Sequence, residues 1–585
     1  MSHVPADVES GKTRQPPPTG LERGTAMAIP PGITEQDFAS ALQEFANIVG
    51  EEWVFTSEED TSLYKDVYSI YQNSDLEPEV SAAIAPDSAE QVQAIVRVAN
   101  QYLVPLYPIS TGKNLGYGGS SPILSGSVVL DLKRMNRILN VDTRNHTMLV
   151  EPGVSFYDVI NYFEENNLPL SMDIPDPAWG SPIGHALERG FAHTYSENGR
   201  DRWDTVCGME VVLGNGEIVR TGPGACEGSQ TWQDQKWGIG PYVDGIFSQS
   251  NFGVITKMGF WIRPAHEGYR SLTVFVPNYE DLTRMVDLDS YLQNAGIVNG
   301  MTVMGAPMFG GGFMFFNTPP PSPEHRQLLQ VVDNRRPDIA PLQQFCTENR
   351  IGAWALELKW HLPNRISAAA AEYTRDLFTR EIPGCWFGDE HVLEFPLGED
   401  VIATLNERPG NPERVNLGIP SLSRFGMGVR ATGRPSTSQG HFWFAPMVPK
   451  KGEELLKYQE VMQQAHVELG VPFMGSFYGN LPMYWTKRVG VGLANWAVST
   501  DPEVNRRTRE QYIAMTQICV DNGWTEYRAP APVHTEIMSL INNWNDGSLL
   551  TLHEALKDAV DPNGILSAGR YGIWPRHMRE EMRGA

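Results

Sequence analysis

Cysteine, long apolar runs and positive charge are all scarce in this chain of 585 residues. The five cysteines, at 207, 226, 346, 385 and 519, form no C-x-x-C pair, which favours a reducing compartment and argues against disulfides and an attached c-type haem. No apolar run reaches the ~18–20 residues that a membrane-spanning helix needs. The formal net charge of −24 argues against nucleic acid and anionic membrane surfaces as partners.

Targeting and metal-binding patterns are also missing. Residues 1–28 are polar and rich in Pro and Gly, without the basic and then apolar segments of a signal peptide, and the chain does not end in S-K-L. We therefore expect a flexible N-terminal tail and a cytoplasmic protein. None of the 13 histidines has H-E-x-x-H or similar spacing, so we expect no metal site.

The remaining sequence predicts an α+β protein large enough for two or more domains. Short apolar stretches typical of buried strands, at 82–85, 104–107, 126–132, 148–151, 208–213 and 253–262, alternate with amphipathic segments. Ser88 and Ser155 precede two of these segments as candidate helix caps, Ser88 with Gln91 in a capping box. Further helices are expected at 35–49, 281–292, 367–378, 453–469 and 505–519.

The most informative stretch is 108–121, PISTGKNLGYGGSS, which directly follows an expected strand. Glycines at 112, 116, 118 and 119 allow left-handed backbone, so that successive N–H groups can turn toward an anion. Ser110, Thr111, Lys113 and Asn114 add donors and a positive charge. The spacing matches neither Walker A nor G-x-G-x-x-G, and the loop alone could equally be a surface turn. Tyr117, an aromatic residue among glycines, favours a binding cleft.

This loop resembles the pyrophosphate loop of the vanillyl-alcohol oxidase and p-cresol methylhydroxylase family, P-I-S-x-G-x-N-x-G-Y-G-G, at every fixed position. The likeness runs from about residue 30 to about residue 575. It implies a PCMH-type FAD-binding domain of two α+β subdomains and an α+β cap domain that binds substrate. We expect the boundaries to be 1–28 for the tail, 29–265 for the FAD domain, 266–520 for the cap, and 521–585 for a segment that returns to the FAD domain.

His441 lies in GHFWFAP, an aromatic strand of period two. A core histidine bonded to a backbone carbonyl is the ordinary explanation for such a residue. The resemblance instead implies that His441 carries FAD covalently, a role that suits imidazole because its neutral form offers a nucleophilic lone pair. Some relatives have a histidine pair upstream that activates this residue, whereas this chain has none near 69–72.

Tyr527 and Arg528 lie in GWTEYR and could simply be solvated side chains. The resemblance implies that, with Tyr117, they hold the phenol oxygen of the substrate. Two hydroxyl donors and a guanidinium would lower the pKa of the phenol and stabilise the phenolate. The p-oxygen then pushes electron density toward the benzylic carbon, which loses a hydride to the flavin and leaves a p-quinone methide.

Asp176, in DIPDPAWGS, is either a turn residue beside prolines or the family's second aspartate near the flavin. In the latter role it could offset the positive charge that develops as the hydride departs, and it could also act as a base for water that adds to the quinone methide. Pro177 and Ala178 depart from the family's usual residues at this turn.

Further candidates are less specific. Glycine and polar residues after the Asp176 turn open a predicted helix and a second anion site, and other cofactor contacts are expected on a later strand and near the C-terminus. These residues are Gly180, Ser181, Gly184, His185, Gly253, Ile255 and Arg570, together with Gly112, Leu115 and Gly116 of the loop. Trp443 and Ser476 could line the substrate pocket or pack in the core.

The sequence therefore predicts an FAD-dependent oxidase of para-substituted phenols, such as 4-hydroxybenzylic alcohols and 4-alkyl- or 4-allylphenols. Its expected partners are the phenol and O2, with H2O2 as a product, and we expect a homodimer or higher homo-oligomer. Two alternatives stay open: a dehydrogenase that passes electrons to a cytochrome, and a flavin-binding protein without phenol activity.

Overall fold

A four-stranded sheet near the N-terminus positions the glycine-rich loop. The computed structural model describes residues 28–66, 68–175, 178–192, 194, 202–310, 320–329, 337–407, 413–421, 440–471 and 487–584. In the sheet, Val54–Phe55 pairs antiparallel with Val80–Ile84, which is followed by Ser127–Asp131 and Leu106–Ile109 in parallel. Because parallel strands end at one edge, the loop that follows Leu106–Ile109 leaves the sheet where ligands of such sheets commonly bind.

Two predicted helices pack on this sheet. Glu35–Val49 has the predicted bounds, and Ala89–Tyr102 begins after Ser88, whose hydroxyl accepts a hydrogen bond from the backbone N–H of Gln91. In a capping box the Gln91 side chain would accept a hydrogen bond from the backbone N–H of Ser88. Here it accepts instead from the N–H of Asp87, at 2.9 Å. Buried Phe38, Val92 and Ile95 join the strands in one hydrophobic core.

A five-stranded antiparallel sheet follows in the chain. Its order is Ile138–Asp142, Thr147–Val150, Gly253–Trp261, Val206–Leu213 and Ile218–Arg220. The helix Phe156–Glu165 packs beside it, with Ser155 and Asp158 in a complete capping box. Strands predicted from short apolar runs lie here within two residues of their expected bounds.

The middle of the chain forms a third sheet, antiparallel throughout, in the order Val303–Gly305, Trp354–Trp360, Gly268–Val276 and Trp386–Glu394. The hydrophobic core on this sheet includes Trp354 and Trp360, which are fully buried. Ile70, far away in sequence, also packs in this core. The helices of this region are Asp281–Asn294, Pro323–Leu328, Ile339–Glu348, Asn364–Glu381, Glu399–Glu407, Glu413–Asn416, Gly452–Leu469 and Pro502–Asp521.

Short strands bring later segments next to the loop. His441–Phe444 pairs with Ala494–Ala497, and Pro446–Pro449 lies between Val489–Val491 and Thr525–Glu526. The C-terminal part contains the helices His534–Ile541, Ser548–Val560 and Arg579–Gly584. The remaining elements are the helices Glu58–Ser62 and Pro182–Leu187 and the paired strands Leu170–Ser171 and Arg263–Pro264.

Hydrophobic packing relates the C-terminal part to both halves of the chain. Trp524 and Ile537 belong to the core of the third sheet. Leu566 and Ile573 instead pack in the cores of the first and second sheets. A fully buried ion pair between Lys557 and Asp561, 2.7 Å long, fixes the turn between them. The fold is α+β, as predicted, and no helix in the described part of the chain is long and apolar enough to cross a membrane.

Candidate active site

The glycine-rich loop folds as a tight series of turns. Gly112, Gly116, Gly118 and Gly119 all have positive φ, at 66°, 79°, 132° and 40°. The carbonyl of Asn114 accepts hydrogen bonds from the backbone N–H groups of Tyr117, at 3.1 Å, and Gly119, at 3.2 Å. A side chain on these glycines would strain the backbone.

The loop is packed between two distant segments. A Cβ on Gly116 would lie 2.7 Å from Cδ1 of Trp443, and one on Gly118 would lie 2.8 Å from Cβ of Ala531. The backbone of Trp443 donates to the carbonyl of Gly116 at 3.4 Å, and that of Ala531 donates to the carbonyl of Tyr117 at 3.3 Å. Trp443, a predicted pocket residue, therefore contacts the predicted phosphate loop directly.

The two predicted anion sites lie against each other. Ser110 begins the loop, and a Cβ on Gly184 would lie 2.5 Å from the hydroxyl oxygen of Ser110. Gly184 belongs to the helix Pro182–Leu187, which Ser181 caps and Gly180 precedes. These features fit the pyrophosphate of FAD. The loop offers left-handed glycines and the hydroxyl donors of Ser110 and Thr111, and only a glycine at position 184 permits the helix to come this close to the loop. Lys113 is exposed, while Asn114 and Leu115 are partly buried.

His185, Gly253 and Ile255 take structural positions. Nε2 of His185 lies 2.9 Å from the carbonyl oxygen of Phe191, which closes the turn after the short helix. Gly253 begins a strand of the five-stranded sheet, and a Cβ there would lie 2.4 Å from Cγ1 of Val211. Ile255 is 4% exposed and lies in the hydrophobic core. Their predicted cofactor contacts stay predictions.

Arg570 is buried below the loop, next to a carboxylate that sequence reasoning missed. Its guanidinium donates to the hydroxyl of Tyr107 at 2.7 Å and forms an ion pair with Glu188. A Cβ on Gly118 would lie 3.4 Å from Nη1 of Arg570. Tyr571 donates its hydroxyl proton to the other carboxylate oxygen of Glu188. The only sequence signal for Glu188 was its position three residues after His185.

Tyr117, Tyr527 and Arg528, which the resemblance assigns to the phenol oxygen, lie together in the structure. The guanidinium carbon of Arg528 lies 3.8 Å from the ring centroid of Tyr117 and 4.9 Å from that of Tyr527. Nη1 of Arg528 also donates to Oδ1 of Asn114 at 3.4 Å. The cluster therefore joins the glycine-rich loop to the segment that follows Thr525–Glu526.

Two donors in this cluster are unused within the described residues. The hydroxyl of Tyr117 and Nε of Arg528 are both buried and have no hydrogen-bond partner there. Burial raises the pKa of Tyr117 above its ordinary value, although Arg528 acts to lower it. A buried polar atom without a partner is costly, so a ligand acceptor between these two groups would complete their hydrogen bonding.

Tyr527 differs from Tyr117 in its hydroxyl. It donates its proton to the carbonyl oxygen of Arg189 at 2.7 Å. Its ring lies 4.7 Å from that of Phe191. Because a phenol has a single proton to donate, this hydroxyl can serve a ligand as a donor only after it leaves Arg189.

His441 lies on the other side of the loop, buried to 1% exposure. Its ring makes edge contacts with the rings of Trp443, at 4.7 Å, and Tyr68, at 5.0 Å. Its carbonyl oxygen would lie 3.1 Å from a Cβ on Gly116. The candidate flavin-linking residue and the candidate phosphate loop are thus direct neighbours.

Asp66 is a second acid that sequence reasoning missed. Its Oδ1 accepts from the backbone N–H of Tyr68 at 3.0 Å and would lie 3.2 Å from a Cβ on Gly119. Burial raises the pKa of Asp66 to about 6, against the effect of the Tyr68 N–H. Asp66 thus lies against the loop at Gly119, and Tyr68, two residues later, contacts the ring of His441.

The candidates Asp176 and Ser476 lie outside the described residues. No group of three or more His, Cys, Asp or Glu side chains that could hold a metal ion occurs in the ranges that the structure describes.

Comparisons with known proteins show the family to which the chain belongs. Residues 80–222 match the family described as FAD binding domain. The flavoprotein subunit of 4-cresol dehydrogenase (hydroxylating) from Pseudomonas putida is 30% identical, over 93% of this chain and 97% of its own. The structure of a 4-ethylphenol oxidase from Gulosibacter chungangensis in complex with isoeugenol has a TM-score of 0.77 and 29% identity, covering 94% of this chain and all (100%) of the other.

A second solved structure, p-cresol methylhydroxylase with substrate bound, has a TM-score of 0.75 and 27% identity, covering 93% of this chain and 99% of that chain. These relatives confirm the PCMH-type fold and FAD as the cofactor. The chain belongs to the vanillyl-alcohol oxidase and p-cresol methylhydroxylase family of FAD-dependent oxidoreductases.

Proposed function

We propose that this protein oxidises para-substituted phenols, including 4-hydroxybenzylic alcohols and 4-alkyl- or 4-allylphenols, through a p-quinone methide, with O2 as acceptor and H2O2 as product. The observation that carries this proposal is the pair of unused, buried donors on Tyr117 and Arg528. A phenolate oxygen is a strong acceptor of the size and charge that such a pair would bind. The similarity to a 4-cresol dehydrogenase and a 4-ethylphenol oxidase supports the same substrate class.

The residues that would hold FAD are the loop 110–116, Gly180, Ser181, Gly184 and Arg570, with His441 as a covalent link. When bound, FAD supplies a two-electron acceptor for a hydride from the substrate. His185, Gly253 and Ile255 would support this site through the packing around it.

Arg528 and Tyr117 would do the chemical work at the phenol oxygen. The guanidinium favours the ionised phenol by direct charge attraction, and the Tyr117 hydroxyl adds a hydrogen bond to the same oxygen. Ionisation raises electron density at the para position, so the benzylic carbon releases a hydride more readily. Trp443, with Ser476, would line the pocket and exclude water. Asp176 would take the proton from the water that adds to the quinone methide.

Covalent attachment has a direct test. Acid precipitation of the wild type should leave yellow flavin in the pellet, and the His441→Ala protein should release it into the supernatant. Complete release from the wild type would contradict the link. This chain has no histidine at 69–72, so Tyr68, which contacts the His441 ring, and Asp66, which lies against the loop at Gly119, are the groups that would assist the link.

A cytochrome-coupled dehydrogenase is the second candidate. It is favoured by the first relative, which is named a dehydrogenase and a flavoprotein subunit, whereas the 4-ethylphenol oxidase favours O2. We also infer that the protein is cytoplasmic, because its cysteines are sparse and unpaired in sequence motifs. We further infer that it forms a homodimer or a higher homo-oligomer.

An oxygen-electrode screen of p-substituted phenols tests the proposal. We expect O2 uptake with vanillyl alcohol or 4-ethylphenol, and return of half the O2 when catalase is added, because catalase converts H2O2 to O2. Turnover that needs an artificial one-electron acceptor and consumes no O2 would support the dehydrogenase. Absence of turnover with either acceptor would contradict phenol oxidation.

A further inference from the structure

Glu188 is a partly buried carboxylate between two elements of the candidate site. It follows the helix Pro182–Leu187, and its side chain is 14% exposed, beside that of Arg570 at 10%. One carboxylate oxygen accepts from the Arg570 guanidinium, and the other accepts from the Tyr571 hydroxyl. The carboxylate is therefore fully engaged on one side of the loop.

Hydrogen bonds to backbone carbonyls connect Glu188 and the next residue, Arg189, to the phenol-binding cluster. The side-chain amide of Gln249 donates to the carbonyl of Glu188 at 3.4 Å and to that of Tyr527 at 3.3 Å. The hydroxyl of Tyr527 donates to the carbonyl of Arg189 at 2.7 Å. Movement of Glu188 would therefore displace Tyr527 and the adjoining Arg528.

The charges of this constellation do not balance. Arg528 and Arg570 bring two positive charges, and Glu188 brings one negative charge. Within the described part of the chain no carboxylate forms an ion pair with Arg528. These three side chains therefore carry a net charge of +1, apart from the negative charge that the pyrophosphate of FAD would bring. Removal of Glu188 would leave the same site with an additional positive charge.

We propose that Glu188 sets the charge of the phenol site: by neutralising one of two guanidiniums, it limits how strongly the site ionises the phenol that it binds. This inference rests on the proposed function. Glu188 is a positioning residue, since it acts through Arg570 and Arg528.

The other titratable groups around Glu188 are neutral in the physiological range. They are Tyr107 and Tyr117 on the strand and loop, His534 on the helix His534–Ile541, and Tyr571 beside Arg570. Burial raises the pKa of each tyrosine. Burial, and then Arg570, lower the pKa of His534 to about 3. Although burial opposes ionisation of Glu188, Arg570 and Arg528 hold its pKa below the ordinary value. Besides the ligand, two acids that act on these tyrosines change charge between pH 5 and 9: burial raises the pKa of Glu526, which acts on Tyr117, to about 8 and that of Asp66, which acts on Tyr107, to about 6. Their titration is common to the wild type and the Glu188 variants, so the comparison between these proteins isolates the effect of Glu188.

The test measures ionisation of a bound probe, not turnover. 4-Hydroxybenzaldehyde would be titrated into the FAD-loaded protein from pH 5 to 9, and the phenolate absorbance followed by difference spectroscopy. We expect Glu188→Gln to lower the apparent pKa of the bound probe by about one unit and to tighten binding about tenfold at alkaline pH, where the free probe is ionised, because a unit negative charge is removed nearby in a medium of low dielectric. Glu188→Asp, which keeps the charge, should retain the wild-type pKa.

4-Methoxybenzaldehyde, which cannot ionise, is the matched ligand, and its affinity should be the same in all three proteins. An unchanged or raised probe pKa in Glu188→Gln would overturn the role of Glu188 and leave phenol binding intact. Failure of the wild type to bind the probe as phenolate would instead overturn the proposed function and this inference together. If Glu188→Gln does not retain FAD, Tyr571→Phe gives the opposite test: loss of one donor to the carboxylate should raise the probe pKa, and no rise would count against the proposal.

Discussion

Tyr117 and Tyr527 present similar rings to Arg528, but their hydroxyl protons go to different places. The hydroxyl of Tyr117 has no partner within the described residues, whereas that of Tyr527 is bonded to the carbonyl of Arg189. The family resemblance treats the two residues as equal donors to the substrate. The geometry makes Tyr117 the donor that is available without rearrangement.

Replacement of each tyrosine by phenylalanine should therefore have unequal effects. Tyr117→Phe removes a bond to a charged oxygen, worth about 1.5–3 kcal/mol, and should lower kcat/KM for 4-ethylphenol about 10- to 100-fold. Tyr527→Phe should lower it about fivefold or less and mainly reduce the melting temperature, since its loss is a bond within the protein. Steady-state kinetics and thermal unfolding of the two variants check this. Equal losses in kcat/KM would show that Tyr527 also donates to the substrate.

Glu526 is a buried acid whose protonation affects the folding stability of the protein. One of its carboxylate oxygens accepts from the backbone N–H of Ala445 at 3.0 Å, and the other has no partner within the described residues. Burial raises its pKa to about 8, against the effect of that N–H. Because the folded pKa lies above the unfolded one, the folded state holds the proton longer. The resulting stabilisation is complete below about pH 4.3 and is lost as the pH rises through about 8.

Glu526→Gln should remove this pH dependence. The variant should match or fall below the wild type in melting temperature at pH 5 and exceed it at pH 9, a relative change of several kcal/mol in unfolding free energy at about 1.4 kcal/mol per pKa unit. Thermal unfolding at pH 5, 7 and 9 measures it, with Glu503→Gln as the control because Glu503 is 75% exposed. A constant difference between variant and wild type across this range would show that Glu526 is ionised throughout.

At the scale of elements, the glycine-rich loop depends on contacts that its own sequence does not reveal. Its flexibility and donors could be predicted from residues 110–119 alone. Its packing against Trp443 and Ala531 could not, because those residues follow more than 300 positions later and depend on strand pairing.

Gly116→Ala should therefore disturb cofactor binding more than a comparable change elsewhere. Gly116 has φ of +79° and a Cβ there would lie 2.7 Å from Trp443, whereas Gly32 has φ of +80° with nothing within 4 Å. Both alanines strain the backbone, but only the first also overpacks the site, at about 1–3 kcal/mol. We expect the ratio of flavin to protein absorbance to fall in Gly116→Ala and to stay at the wild-type value in Gly32→Ala. Full flavin content in both variants would remove the steric argument.

Local patterns predicted elements well where hydrophobic period and caps agree. The helices beginning after Ser88 and Ser155 are examples, since the capping serine and the apolar face lie within a few residues of each other. The Glu188–Arg570 pair is the opposite case, because its partners are 382 residues apart in the chain. Asp66 was missed for the same reason: its contact with Gly119 exists only once the chain has folded.

On the scale of the whole molecule, the candidate site is assembled from all parts of the chain. The loop follows a strand of the first sheet, and His441 lies on a short strand after the third sheet. Arg528 follows the helix Pro502–Asp521, and Arg570 lies near the C-terminus. Relatives that align over almost their full length, 97–100% for the two with 4-cresol and 4-ethylphenol names, have the same overall organisation. Residue spacing could not predict this proximity, and the family resemblance alone named these residues together as site candidates.

The central claim is that a phenol oxygen held by Tyr117 and Arg528 activates the para carbon of the substrate. Anaerobic mixing of the FAD-loaded protein with 4-ethylphenol, followed by loss of the yellow flavin absorbance in a stopped-flow spectrometer, tests it most directly. The account predicts rapid bleaching by 4-ethylphenol and none by its methyl ether, 4-ethylanisole, which cannot form a phenolate. Bleaching at similar rates by both compounds, or by neither, would contradict it.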